Sequence, residues 1–402
     1  MVNGGVVVGT IVAILLGYLL GSFLPAYFIT RTLLGVDIRE IGTKHAGTTN
    51  VYRNVGLWPA VFTALYDTSK GVLAFKLSSL LGLPEHVCFV SAMSAVAGHV
   101  FPFYLQFRGG RGAATTVGIL LYFLWTEWLK LPFSTLLSDL SILALIVLVL
   151  FLTSRRGDVV GLFVLPALAL LVMVRMPDRS HFIVLPVLVL LTINLYNIIV
   201  WRLIKFQEDI RPWRVLIRPA AFLLLILGYH IEKTSFMFLM SVLIAIFLVL
   251  DLVRLSHRRV ERFFHDEFKF KMFKETERKR LSSMTLFLLG VTLSYLFFED
   301  ELAIAACSFL ILGDLAAKII GMNFGKKKLF HKTVEGTLAH LVLCIYTAYV
   351  LHVMNFVPLG VGLLGAIAAT ICEVLPLAIN DNVSVPLFSG IVMNVVKGVI
   401  RG

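Results

Sequence analysis

Long apolar runs alternate with short polar segments along the whole chain. The first two runs cover residues 6–34 and 57–83, and further runs follow as far as the last residues. Runs of about 17–25 residues are long enough for a helix to cross the hydrocarbon core of a bilayer. Some runs are shorter or interrupted, which is typical of re-entrant segments. The pattern therefore predicts an all-α, polytopic integral membrane protein with about fourteen transmembrane or re-entrant helices in two bundles.

Composition supports this class of protein, since 58% of the residues are hydrophobic and only 15% are charged. The four cysteines all lie in apolar runs and include no CxxC pair. They therefore indicate small buried side chains, and neither a disulfide framework nor a cysteine metal site.

The net charge of +12 is explained by topology. Most of the Lys and Arg residues lie in alternate loops, while the loops between them carry few. This is the positive-inside pattern, and it argues against nucleic acid as the partner. It predicts an integral protein of the cell membrane, with its N-terminus outside and its polar segments facing the cytoplasm. The first apolar run lacks a basic leader, so we expect a retained helix. A basic stretch at 254–280 with apolar residues every four positions predicts a helix that lies on membrane lipids.

The first polar segment, residues 35–56, combines flexible, hydroxyl-bearing and cationic residues. Such a mixture suits a phosphate group, because backbone amides form an anion-binding concavity that a cation completes. A solvated connecting loop is the alternative for an isolated segment of this kind. The candidate substrate-binding residues here are Gly42, Thr43, Lys44, Gly47, Thr48, Asn50 and Arg53.

A second cationic, glycine-rich segment follows the third apolar run. Gly109, Gly110, Arg111 and Gly112 form it, and Thr115 comes shortly after. We predict that it lies on the same membrane face as the first segment and also binds phosphate.

Four polar residues within the apolar runs are further candidates. Asp67 and Lys70 lie three positions apart on one helix face, where ionisable residues are costly and usually functional, although a structural ion pair is the alternative. Ser22 is predicted to donate a hydroxyl deep in the protein. His99 is a candidate for a chemical role, although a lone membrane histidine more often packs with a hydrogen bond.

These segments together resemble a known family. The pieces at residues 21–25, 37–53, 67–71 and 98–115 occur in the order and spacing of the acyl-phosphate-dependent glycerol-3-phosphate acyltransferases. The resemblance covers about residues 5–210 and implies a seven-helix membrane domain. It implies acyl transfer from acyl phosphate to the 1-hydroxyl of glycerol 3-phosphate, which gives lysophosphatidic acid.

This chain departs from the family in two places. Arg111 stands where the family usually has Lys, so a forked donor replaces a point charge. In the last family motif Arg202 aligns as a binding residue, but Tyr196 stands at the family's His and Ile199 at its Asn. Asn194 or Asn197 is the candidate to compensate. The alternative is that this half is a non-catalytic scaffold.

The expected chemistry needs no cofactor for acyl transfer. An acyl phosphate is already activated, so a protein nucleophile is not obligatory, and the chain shows no Ser-His-Asp set. The protein has to hold both phosphates and the hydroxyl in line, then stabilise the developing negative charge. We expect Lys44, Arg53, Arg111 and the glycine amides to do this. Either a substrate phosphate or His99 accepts the hydroxyl proton.

The C-terminal half carries a second set of glycines, lysines and carboxylates. At one membrane face such a set is what nucleotide triphosphate and Mg²⁺ binding require. A positive-inside anchor is the alternative, but it does not explain the carboxylates. The candidates for nucleotide binding are Gly325, Lys326, Lys327, Lys328, Lys332, Thr333 and Gly336. Asp314, Glu335 and Asp381 are the candidates for metal binding, with Asp314 also as a catalytic residue, and Glu373 is a further carboxylate.

These later motifs resemble the CTP-dependent lipid kinases, which include dolichol, phytol and diacylglycerol kinases. The resemblance covers about residues 270–400 and implies Mg²⁺ with CTP, and a lipid alcohol such as diacylglycerol or a polyprenol as acceptor. We therefore expect an acyltransferase-like domain at 1–210 and a kinase-like domain at 211–402. The alternatives are phosphatidate cytidylyl transfer in the second domain, or a transporter of phosphorylated metabolites.

Overall fold

The computed structural model describes residues 4–200, 224–225, 227–262, 277–377 and 379–401. Within these ranges the chain is almost entirely helical, with a single two-stranded antiparallel hairpin. Within these ranges, nine helical segments are long and apolar enough to cross a membrane, and some of them join two or more consecutive helices. Ser283–Phe297 and Leu359–Val374 are shorter apolar helices. The predicted all-α integral membrane fold is confirmed. Residues 263–276 of the basic stretch and the candidate Arg202 lie outside the described residues.

The first 200 residues form the first series of helices, which position the two polar segments described above. Short 3₁₀ turns at Phe103–Leu105, Trp128–Lys130 and Pro177–Arg179 connect some of them. The α-helices are α1 (Gly4–Ser22), α2 (Pro25–Leu34), α3 (Thr48–Asn54), α4 (Leu57–Leu80), α5 (Glu85–Val100), α6 (Ala113–Thr126), α7 (Phe133–Ser154), α8 (Gly157–Arg175) and α9 (His181–Val200).

The later residues form a second series of helices. A π-helical turn at Phe309–Gly313 joins two of them, and the strands β1 (Lys328–Leu329) and β2 (Lys332–Thr333) form the hairpin. The helices are α10 (Lys233–Ser256), α11 (Arg258–Arg262), α12 (Ser283–Phe297), α13 (Asp300–Ser308), α14 (Asp314–Phe324), α15 (Val334–Val353), α16 (Leu359–Val374) and α17 (Asp381–Arg401).

The chain divides into two compact units. The first comprises Met1–Asp139 and Gly161–Asn197, and the second comprises Leu140–Val160 and Ile198–Gly402. The expected domain boundary at residue 210 lies outside the described residues, so the division into 1–210 and 211–402 stays a prediction.

A break in the first apolar run shapes the first unit. Leu24 is extended and Pro25 begins α2, because proline has no N–H with which to continue the hydrogen bonding of α1. The end of α1 packs closely on α5. A Cβ at Gly98 would lie 2.2 Å from the carbonyl oxygen of Tyr18, so only glycine allows this approach.

The second unit has its own apolar core. Phe236 of α10, Tyr295 of α12 and Met393 of α17 are fully buried in it, together with Phe309 of the π-helical turn. This packing fixes the start of α14, where Asp314 lies.

Candidate active site

Asn50 organises the first polar segment. Its side-chain nitrogen donates to the carbonyl oxygens of Ile38, Ile41 and His45 at 2.8, 3.0 and 3.0 Å, and its Oδ1 accepts from the amide of Thr43 at 2.9 Å. The side chain is buried, with 1% of its surface exposed. The amide group of Asn50 thus holds the loop together in this structure, and its direct contact with substrate stays a prediction.

Arg39 pairs with Asp37 and also links the first segment to the residues just before the second. Arg39 binds Asp37 at 2.6 Å, and its Nη1 donates to the carbonyl oxygens of Leu105 and Arg108 at 2.8 and 3.2 Å. The hydrogen bonds from Arg39 hold the pKa of Asp37 below its usual value, and the same pair raises the pKa of Arg39. Arg39 thus connects the first polar segment to Leu105 and Arg108, which precede the second segment.

Gly110 lies where the two segments meet. A Cβ at this position would be 2.0 Å from Nε2 of His99 and 2.7 Å from the carbonyl oxygen of Ala46. The amides of Gly109 and Gly110 donate to the carbonyl oxygens of Val100 and His99, both at 3.0 Å. These amides were expected to face a phosphate, and in this structure they hold the loop instead. Gly112 adopts φ +81° just before α6, a conformation that favours glycine.

Arg111 is held by the end of α9. Its Nη1 donates to Oδ1 of Asn197 at 2.5 Å, and its guanidinium carbon lies 5.6 Å from the centre of the Tyr196 ring. Of the two candidates to compensate for the altered last motif, Asn197 is thus the one that contacts Arg111.

Burial, and then the charge of Arg111, lower the pKa of His45, which keeps that ring neutral at pH 7.

Lys70 is the centre of a fully buried polar cluster. Its Nζ lies 2.8 Å from Oδ1 of Asp67 and 2.7 Å from Nδ1 of His99. It also donates to the carbonyl oxygens of Gly21 and Phe23 at 2.9 and 3.3 Å. Those carbonyls lie at the break between α1 and α2, where the helix leaves them without intrahelical partners. Lys70 therefore stabilises the break, and it connects three elements of the first unit.

The remaining candidates of the first unit occupy different environments. Ser22 is buried, and its hydroxyl donates to the carbonyl oxygen of Tyr18 at 2.8 Å. Thr48 and Thr115 have buried hydroxyl oxygens without a hydrogen-bond partner among the described residues, which suits a bound polar ligand.

Lys44 and Arg53 are exposed, and Lys44 adopts φ +59°. Gly42 also has a positive φ, +57°, and Gly47 precedes α3 in an extended conformation.

In the second unit, Lys332 draws two carboxylates together. Its Nζ lies 2.5 Å from Oε1 of Glu373 and 3.2 Å from Oδ2 of Asp381. Burial alone would lower the pKa of Lys332, but the two carboxylates outweigh it and raise the pKa. The lysine is therefore charged at pH 7, in a cluster that reaches the surface, since 22% of its side chain is exposed.

The three predicted metal ligands do not converge. Asp314 pairs with Lys318, one turn further along its own helix, at 2.8 Å, and Glu335 accepts from the amides of Lys326 and Lys327 at 2.9 and 3.3 Å. Asp381 faces Lys332. Across the described ranges, no group of three His, Cys, Asp or Glu residues has the geometry to hold a metal ion. The predicted Mg²⁺ site is therefore not formed by these three residues in this structure.

The predicted nucleotide-binding residues form the hairpin and the start of α15. Gly325, Lys326, Lys327 and Lys328 are exposed. Thr333 caps α15, because its Oγ1 accepts from the amide of Gly336 at 3.2 Å. The hairpin therefore presents its lysines at the surface, next to a helix N-terminus that favours anions.

A buried histidine that the sequence does not predict lies beside the cluster of Lys332, Glu373 and Asp381. Nδ1 of His340 lies 2.9 Å from Oγ1 of Thr370, one turn before Glu373 on α16. Among the described residues, His340 Nε2 and Glu373 Oε2 are buried without a hydrogen-bond partner. The spacing of Thr370 and Glu373 places them on one face of α16, but no pattern in the sequence pairs that face with His340.

Comparison with known proteins identifies the first half of the chain. A family model described as glycerol-3-phosphate acyltransferase matches residues 11–213. The glycerol-3-phosphate acyltransferase of Prochlorococcus marinus (strain MIT 9515) is 33% identical over 200 residues, which are 50% of this chain and 96% of that protein. Glycerol-3-phosphate acyltransferase 2 of Dehalococcoides mccartyi (strain 195) is 40% identical over 112 residues, 28% of this chain. That match spans about half, 53%, of the relative's length.

A distant likeness to a solved structure accompanies these matches. The crystal structure of PlsY (YgiH), an integral membrane glycerol 3-phosphate acyltransferase in its glycerol 3-phosphate form, is 23% identical with a TM-score of 0.37. It covers 52% of this chain and 98% of that chain, and a likeness this weak supports no residue-level argument. The family model and the Prochlorococcus relative, by contrast, both extend over about half of this chain. Through residues 11–213, the chain belongs to the glycerol-3-phosphate acyltransferase family.

Proposed function

We propose that the first half of this protein transfers an acyl group from acyl phosphate to the 1-hydroxyl of glycerol 3-phosphate, giving lysophosphatidic acid. The observation that carries the proposal is the meeting of the two motif segments at Gly110. Arg111 stands next to that point, and Asn197 holds its guanidinium. The residues involved all lie within the part of the chain that the family model matches.

The chemistry requires positioning and charge stabilisation more than a reactive side chain. The hydroxyl oxygen attacks the acyl carbon, the bond from that carbon to the phosphate oxygen breaks, and inorganic phosphate leaves. Preorganised cations and hydrogen-bond donors lower the barrier where negative charge develops. Arg111 supplies such a charge, and the free hydroxyls of Thr48 and Thr115 supply donors.

The test is acyl transfer by the purified full-length protein in liposomes. Labelled glycerol 3-phosphate and a range of acyl phosphates should give labelled lysophosphatidic acid, without any added cofactor. Entry of glycerol 3-phosphate into the liposomes without product would favour the transporter alternative. Neither uptake nor product would favour the scaffold alternative.

We propose in addition that the protein lies in the cell membrane, with both sites facing the cytoplasm and the N-terminus outside. The alternation of basic loops supports this orientation. A cysteine placed at Thr43 should be shielded from an impermeant thiol reagent in intact cells, and one placed at Met176 should react. The reverse labelling would contradict the orientation.

For the second unit we propose transfer of the terminal phosphoryl group of CTP to a membrane lipid alcohol, such as diacylglycerol or a polyprenol. The convergence of Glu373 and Asp381 on Lys332 favours this function. Glu373 holds Lys332 through Oε1, while its Oε2 is buried without a partner among the described residues. A buried carboxylate oxygen of this kind suits a hydroxyl group that donates to it.

The kinase proposal and its closest rival differ in which phosphate reaches the lipid. Membranes that contain the protein would be given CTP labelled at the α or the γ phosphate. Label from the γ position in lipid supports the kinase proposal. Label from the α position would show cytidylyl transfer, and label from neither position would contradict both.

A further inference from the structure

His99 connects the buried lysine cluster with the meeting point of the two motif segments. It lies near the end of α5, and only 3% of its surface is exposed. Its Nδ1 is 2.7 Å from Nζ of Lys70, whereas its Nε2 lies 2.0 Å from the position that a Cβ of Gly110 would occupy. The two nitrogens of one ring therefore face two different environments.

The contact with Lys70 determines which nitrogen carries the proton. Lys70 pairs with the carboxylate of Asp67 at 2.8 Å and is therefore an ammonium group. An ammonium group only donates hydrogen bonds, so Nδ1 of His99 accepts through its lone pair. In a neutral imidazole the proton then resides on Nε2. The orientation of the ring is fixed as well, because a flipped ring would place a C–H group against the ammonium.

Asp67 is a weaker competitor for the same nitrogen. Its Oδ1 lies 3.4 Å from Nδ1 of His99, clearly longer than the contact from Lys70. A proton on Nδ1 that pointed to Asp67 would also meet the hydrogens of Lys70 across 2.7 Å. The shorter contact therefore decides the tautomer.

Lys70 is unable to turn away from His99. The carbonyl oxygens of Gly21 and Phe23 also accept from its ammonium group, at 2.9 and 3.3 Å. Those carbonyls are supplied by the break between α1 and α2, which Pro25 enforces. The tautomer of His99 is therefore determined by the course of the backbone.

We propose that His99 is a hydrogen-bond donor in acyl transfer rather than the acceptor of the hydroxyl proton. Its Nε2–H donates to an anionic oxygen of the bound substrates, and Lys70 is the positioning residue that imposes this tautomer. The inference rests on the proposed acyltransferase function. The proton of the attacking hydroxyl then passes to an oxygen of the departing phosphate, which also takes the electron pair of the broken carbon–oxygen bond.

Two substitutions of His99 distinguish a role as hydrogen-bond donor from a role as base. His99→Gln keeps an amide N–H near the position of Nε2 but has no basic nitrogen, whereas His99→Leu has neither. We expect kcat/KM to fall by at least about 10²-fold in His99→Leu, the scale of losing one oxyanion donor, and by only about tenfold in His99→Gln. An equal loss in both, with thermal unfolding in detergent unchanged, would overturn the proposal. A rise in KM in His99→Leu would show that Nε2–H donates to a phosphate of the bound substrates. A fall in kcat would show that it donates to the oxyanion that develops in the transition state.

A spectroscopic measurement tests the tautomer independently of activity. In protein labelled with ¹⁵N-histidine, the His99 signals are those that disappear in His99→Gln. At pH 7 we expect Nε2 to carry the hydrogen and Nδ1 to be bare, and Lys70→Met should shift the hydrogen towards Nδ1, beside which Asp67 remains as an acceptor. A hydrogen on Nδ1 in the unsubstituted protein would overturn the proposal. If the tautomer is as expected and no acyl phosphate is used, the proposed acyltransferase function fails, and the role assigned to His99 in it fails as well.

Discussion

Two lysines, one in each unit, are surrounded in opposite ways. Lys70 is fully buried with one carboxylate and two backbone carbonyls, so neutral groups supply much of its coordination. Lys332 is partly exposed and faces two carboxylates, Glu373 and Asp381. One lysine is thus enclosed by the fold, and the other lies where a ligand can reach it.

The difference indicates that the charge of Lys70 stabilises the fold and that the charge of Lys332 takes part in ligand binding. A buried ion that loses its counter-charge is strongly destabilising, because nothing else in the interior compensates it. An ion near the surface retains water and alternative partners. The enclosed lysine should therefore be sensitive in stability measurements, and the open one in activity measurements.

The largest expected effect concerns the enclosed lysine. Asp67→Asn removes the only carboxylate beside Lys70 among the described residues and should lower the free energy of unfolding by about 3–5 kcal/mol. Denaturant or thermal unfolding in detergent measures it. A loss below about 1 kcal/mol, the range of exposed pairs, would show that the backbone carbonyls alone balance Lys70.

The next effect concerns the charge at the meeting of the motif segments. Arg111→Ala should reduce acyl transfer by at least about 10²-fold, because one charge-stabilising donor is lost. Arg111→Lys should retain activity, since lysine keeps the positive charge at this position. Arg108→Ala is the matched control, because Arg108 is an exposed arginine three positions earlier. Equal losses in both alanine variants would show that net charge matters rather than the position that Asn197 gives to Arg111.

A smaller effect on stability is expected at the open lysine. Glu373→Gln leaves Asp381 beside Lys332, so the free energy of unfolding should fall by only about 1 kcal/mol. CTP-dependent labelling of lipid should nevertheless be lost, because the buried carboxylate oxygen disappears. Lys326→Ala, in the exposed hairpin, is the control for general charge effects. A stability loss as large as that of Asp67→Asn would abolish the distinction between the two lysines.

The sequence predicts the elements and the motif segments well, since apolar runs and glycine-rich segments are local signals. It does not predict the partners of Lys70, because the carbonyls of Gly21 and Phe23 are backbone groups that any residue carries. Nor does it predict the loop hydrogen bonds of Asn50, because an asparagine side chain suits a ligand and a loop equally. The three predicted metal ligands lie apart for a related reason, since Asp314 pairs with Lys318 one turn away on its own helix.

The smallest expected effect concerns the Asp37–Arg39 ion pair within the first polar segment. Arg39 lowers the pKa of Asp37 below 3.8, so the folded protein binds this proton less readily than the unfolded chain. The stabilisation is therefore fully present above about pH 5 and is lost as pH falls below 3.8 through the folded pKa.

Because the pair is partly exposed, the stabilisation should amount to about 1 kcal/mol or less. Asp37→Asn should unfold at a lower temperature than the unsubstituted protein at pH 6, and the difference should shrink as the pH falls below 3.8. Arg39→Gln should show a larger loss at pH 6, because Arg39 also donates to the carbonyl oxygens of Leu105 and Arg108. A difference for Asp37→Asn that did not change with pH would show that the hydrogen bonds of Arg39 to the second segment, and not its pairing with Asp37, hold the two segments together.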